Sequence, residues 1–165
     1  MKWKLFFIVV FFMITGLVKG KIHPHKFDKA EFYAAMRSSD LEIINNEIDV
    51  IKGTQEKEKE GYEGALLMKK AELVKSLKER LSFFKQGRIK LETNLLADNN
   101  NTELHFLRLA IEEHAPKIVK YYFDIEKDKS IVINNFKNLS PVVQNAILDY
   151  CENSQVLHRK DFSLH

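Results

Sequence analysis

Apolar residues in this chain recur mostly at intervals of three and four, and few β-branched runs alternate with polar residues. That period belongs to amphipathic helices. Asp28 precedes Phe32, Tyr33 and Met36 as the N-cap candidate of a first helix. "RSSD" breaks it. Ser39 and Glu42 form an S-x-x-E capping box for a second helix, in which Leu41, Ile44, Ile48 and Ile51 share a stripe and Gly53 ends the element. The two read as a hairpin. "TQEKEKEGYEG" alternates charge and has no apolar face before Tyr62, which predicts a solvated loop or an exposed first turn. A third helix follows from Tyr62 to about Ser76, with Leu66, Met68, Ala71 and Leu73 for packing. Leu77, Leu81, Phe84, Leu91 and Leu95 continue at helical spacing to about Leu96. Gly87 sits inside this run. Glycine there costs about 1 kcal/mol against alanine, so its presence points to a close helix crossing or a kink.

"ADNNNTE" is a turn, and Thr102 is the cap candidate for the next helix. There Leu104, Leu107 and Ile111 form one stripe while Phe106, Leu109 and Ala110 cover much of the rest. A helix apolar on most sides belongs at the centre. Pro116 suits the first turn of another helix carrying Ile118, Val119, Tyr121, Tyr122 and Phe123. Ile131, Val132, Ile133 and Phe136 form a further patch. Ser140 followed by Pro141 opens a last helix with Val143, Ala146, Ile147 and Tyr150. The sum is an all-α fold of about six or seven helices, packed as successive antiparallel hairpins in an irregular array or bundle. One helical domain is expected over residues 28–154, after a polar leader at 21–27 and before a polar, frayed tail at 155–165.

The N-terminus changes the meaning of the charge. Lys2 and Lys4 precede an apolar run from Leu5 to Val18, and Val18-Lys19-Gly20 resembles a cleavage site, so residues 1–20 have the pattern of a secretory signal peptide. As a helix the run would be about 21 Å long, short of the ~30 Å hydrocarbon core. The alternative is an uncleaved membrane anchor. The formal charge of the whole chain is +3, but Lys2, Lys4 and Lys19 all lie in the leader. Without them 23 basic residues balance 23 acidic ones. A neutral, evenly mixed chain lacks the electrostatic footprint of a nucleic-acid or anionic-membrane binder. A single cysteine, Cys151, excludes an intramolecular disulfide; its spacing from Val143 and Ile147 puts it on a buried helical face.

"GRIKLETNLLADNNNTELHFLRLAI", residues 87–111, resembles the junction of tetratricopeptide repeats: a leucine-rich helix end, an Asp-Asn corner and a Glu opening the next helix. Asn99 and Asn94 stand where such repeats usually carry proline and alanine, and no 34-residue period recurs. The leader combined with "GALLMKKA", "FKQGRIKLE", "ELHFLRLAIEEHAPKIVKYY" and "NLSPVVQNAILDYCENS" is similar to uncharacterised exported proteins of Bacteroidota bacteria. That resemblance implies an exported helical domain, periplasmic or secreted, and no known activity.

"HFLRLAIEEHAP" poses the sharpest chemical question. His105 and Glu112 are seven apart and share a helical face, whereas His114 lies about 180° from His105 at ~100° per residue. The H-E-x-x-H zinc pattern is absent, as are a G-x-S-x-G elbow and a phosphate-binding glycine loop. No catalytic residue, metal ligand or cofactor is therefore expected. The functional expectation is a scaffold domain that binds a protein or peptide partner, with Tyr121, Tyr122 and Phe123 as the candidate contact residues. The competing expectation is a metal-binding protein or metal-dependent enzyme using His105 and Glu112.

Overall fold

The computed structural model describes residues 26–162. Among them are seven α-helices and no strand: α1 Lys29–Arg37, α2 Leu41–Gly53, α3 Lys59–Leu73, α4 Leu77–Ala97, α5 Thr102–His114, α6 Ile125–Asn135 and α7 Pro141–Tyr150, with short 3-10 turns at Lys117–Val119, Phe136–Asn138 and Arg159–Phe162. The all-α expectation is met. Residues 1–20, expected to be a signal peptide, lie outside the described residues. No described helix is long and apolar enough to cross a membrane.

Side-chain caps fix most helix starts, satisfying backbone N–H groups that have no partner within the helix. Asp28 accepts from the Ala30 amide as expected. The second helix is capped by Asp40, not Ser39: Asp40 Oδ1 accepts from the Glu42 amide at 2.7 Å, while Ser38 Oγ holds the Asp40 amide. Ser76 accepts from the Glu79 amide and divides what the spacing alone joins, α3 from α4. Asn101, not Thr102, caps α5 through the Leu104 amide at 3.1 Å. At both Asp40 and Asn101 the neighbouring candidate also had a capping side chain, and the residue that caps has extended backbone.

The tightest packing is the antiparallel pair α3·α4. Its register is read from Gly64 against Gly87, Gly61 N–H donating to Asn94 Oδ1 at 3.0 Å, and Lys70 over the Phe83 ring. The glycine in α4 marks a close crossing. A Cβ added at Gly87 would lie 2.4 Å from the Gly64 carbonyl oxygen, and one added at Gly64 would lie 2.6 Å from the Gly87 carbonyl oxygen. Lys90 ties the same pair by bonding both Glu60 and Glu63. α5 packs chiefly on α6, and its own surface is buried almost all round, as its apolar coverage requires. An aromatic cluster fills the space under α1: the Tyr62 ring stacks on Phe27 at 5.1 Å and meets Phe32 at 4.8 Å. Phe27, half-buried, thus packs against the core instead of belonging to a polar leader.

Two segments depart from expectation. After Pro116 the chain makes only the 3-10 turn Lys117–Val119, then Lys120 adopts left-handed backbone with φ 47° and stops the helix. Residues 120–124 form a loop. The segment after α7 is not frayed through residue 162: Leu157 is fully buried and the Phe162 ring packs tilted against Phe136, centroids 4.4 Å apart. Cys151, as its spacing implied, is buried, and burial pushes its thiol up to about 11.

Gly87→Ala should destabilise the protein by about 2–3 kcal/mol in urea denaturation, because overpacking against backbone outweighs the ~1 kcal/mol gain in helix propensity. Gly53→Ala, where a Cβ meets nothing within 4 Å, should leave stability unchanged or raise it by up to about 1 kcal/mol.

Candidate functional site

His105, Arg108 and Glu112 fall at spacings of three and four on α5 and so form one polar stripe on a buried helix. Buried charge requires counter-charge, and α4, α6 and the 120–124 loop supply it. Arg108 makes a bidentate pair with Asp128 of α6, Nε to Oδ2 and Nη2 to Oδ1, both at 2.7 Å. Its Nη1 donates to Glu92 of α4 at 3.1 Å, and Asp124 Oδ1 lies 3.4 Å from Nη2. One guanidinium therefore joins α4, α5, α6 and the loop before α6. The fork geometry suits arginine and not lysine.

His105 Nδ1 lies 2.6 Å from Asp128 Oδ1 and Nε2 lies 2.8 Å from the Asn99 carbonyl. Both ring nitrogens are thus engaged, one by α6 and one by the α4–α5 corner. Glu112 turns elsewhere, accepting from the Asp124 amide through Oε2 at 3.0 Å. The two residues of the metal alternative face separate partners, and no group of three or more His, Cys, Asp or Glu among the described residues is placed to hold a metal ion.

The electrostatics follow from crowding. Asp128 is fully buried, which alone would raise its pKa; the bonds and charges of Arg108 and His105 reverse this and hold it low. Glu112, also buried, has no cation bonded to it. Burial, reinforced by the charge of Asp124, lifts its carboxyl to about 7, against lowering by the Asp124 amide and by Arg108. Glu113, one residue on, is bonded instead by α7 and the segment after it. Burial would raise it, but donation from Tyr150 Oη at 2.5 Å, Ser154 Oγ at 2.7 Å and the Gln155 amide at 2.6 Å lowers it instead.

The three aromatic candidates separate. Tyr121 is buried; its hydroxyl donates to Glu92 Oε1 at 2.5 Å, its ring meets Phe84 edge-on at 5.8 Å, and the Arg88 guanidinium sits 4.7 Å from the ring centre. Tyr122 and Phe123 lie outside, 45% and 72% exposed, with ring centroids 4.5 Å apart. Ile118, on the 3-10 turn of the same connection, is 85% exposed. Burying Tyr121 and fixing the Asp124 amide on Glu112 pins the loop on both sides of the exposed pair.

Sequence reasoning missed Arg108, Asp128, Asp124 and Glu92. The signal was present: Arg108 completes the stripe between His105 and Glu112, and an arginine on the inner face of an apolar helix requires a carboxylate opposite. Which carboxylate, however, depends on how α6 docks. No family model matches the chain, and no curated protein or solved structure matches it.

The raised carboxyl of Glu112 has a signed consequence. Between about 4.5, its ordinary value, and about 7 the folded protein keeps a proton that the unfolded chain has released. Its contribution to stability is full below that window and is lost as pH rises through about 7. Glu112→Gln should therefore be more stable than the parent at pH 8 and equal to it below pH 5, in denaturant titrations at each pH; a gap that does not change with pH would refute the assignment. Asp128→Asn leaves Arg108 buried without its partner and should cost about 3–5 kcal/mol in the same assay.

Proposed function

We propose that this chain is a small exported helical domain that binds a protein or peptide partner through the loop between α5 and α6, with no catalytic activity or cofactor assigned. The observation that carries the reading is the pinned, outward-facing apolar loop: Ile118, Tyr122 and Phe123 exposed, Tyr121 and Asp124 held beneath. Large aromatic side chains carry much of the energy of protein interfaces, because they bury wide area for few rotatable bonds. A loop already fixed in shape loses less entropy on binding. The buried side of the loop is made of charge pairs that support it rather than of groups converging on a substrate.

Export rests on the pattern of residues 1–20. The N-terminal residue of protein recovered from its native host, read by mass spectrometry, tests it: a start near Lys21 supports export with cleavage, and an intact Met1 supports the anchored alternative.

A photo-crosslinking amino acid at position 118 or 123, introduced in the native host, should give discrete partner adducts, while the same group at exposed Lys78 on α4 should give none. Phe123→Ser should abolish the adduct formed from position 118 and leave stability within about 0.5 kcal/mol, as for other exposed positions. Equal labelling from 78, 118 and 123 would overturn the reading.

A further inference from the structure

A cavity of about 430 Å³ opens between α1, α3, α5 and α7. Small-molecule sites occupy roughly 300–1,000 Å³. The space exists because Ala110 on α5 and Ala146 on α7 line it where larger side chains would close it. Met36, Phe106 and Ile111 add apolar wall. Tyr33 and Tyr150 also line the cavity, but their hydroxyls are committed to Glu103 and Glu113 at 2.9 and 2.5 Å. The interior thus offers hydrocarbon contact and few polar groups. Apolar wall left without contacts forfeits dispersion energy that an apolar occupant restores.

The charged lining is Arg37 from α1 and Lys69 with Glu72 from α3, and His114 from α5 completes the polar set. Glu72 is matched by Lys69 at 2.8 Å. Arg37 meets only the far limit of an ion pair with Asp149, 3.8 Å away, and both of those side chains are more than half exposed. Arg37 is therefore the less closely paired of the two cations beside the apolar wall, and guanidinium geometry favours a carboxylate.

We propose that this cavity binds a small apolar carboxylic acid, with its hydrocarbon part against Met36, Phe106 and Ile111 and its carboxylate at Arg37. The site is separate in its residues from the exposed loop of Tyr122 and Phe123, so either assignment stands or falls without the other. A linear acid of medium chain length suits the space; an ammonium head on the same chain meets the like charge of Arg37.

The test uses the full chain labelled at methionine methyls and followed by NMR, since Met36 lines the cavity and Met68 is buried between α3 and α4 as an internal control. Decanoate should shift the Met36 methyl saturably and leave Met68 unmoved. Decanol should bind about fivefold more weakly, the size expected for a half-exposed charge pair, and decyltrimethylammonium more weakly still. Arg37→Gln, at a side chain more than half exposed, should bring decanoate to the level of decanol. Ala110→Phe should fill the space and abolish the Met36 shift for every probe. Absence of a saturable Met36 shift, or equal affinity of the three probes in the unmodified chain, would overturn the proposal.

Discussion

Arg108 and Asp128 face each other in a place where neither could stand alone. Moving one charge out of water costs several kcal/mol even after the surroundings relax, and Asp128 is fully buried. The two parallel bonds between them are the condition under which α6 can lie on α5. The remaining donors of Arg108 then reach Glu92 and Asp124, so the position of α4 and the start of α6 depend on the same guanidinium. His105 adds the α4–α5 corner through the Asn99 carbonyl. An apolar patch would hold these elements with comparable strength, but it would tolerate sliding. Bidentate bonds do not, and the loop between α5 and α6 inherits its shape from that constraint.

Close approach governs the other half of the molecule. α3 and α4 meet where neither has a side chain, and the helix axes come near enough for each glycine carbonyl to occupy the space of the other's missing Cβ. Two glycines in helices cost propensity, about 1 kcal/mol each; the contact of two long helices along their length offsets it. Gly87 was conspicuous in the sequence for this reason, whereas Gly64, in a segment already rich in charge and glycine, was not.

The legible parts of the fold were those decided within a few residues. Helical period, the Asp28 cap, the Ser140-Pro141 start and the all-round burial of α5 are local or nearly so. Caps at Asp40 and Asn101 were missed by one residue because two capping side chains stood side by side, and the backbone turn chose between them. The segment after Pro116 had enough apolar residues to read as a helix. Its geometry is instead set by Lys120 and by anchors on other elements, Glu92 and Glu112, which no window of adjacent residues contains. The same holds for the buried charges: His105 and Glu112 were visible as a face, but their partners are 23 and 12 residues away and assigned only by packing.

Glu113 accepts from Ser154 Oγ and the Gln155 amide, which follow it by 41 and 42 residues. The last turn of α5, the central helix, is thus closed by residues on α7 and after it, not by its neighbours in sequence. Non-local closure of this kind is slow to nucleate. The bonding of Glu113 is accordingly complete only in a chain that extends through Gln155.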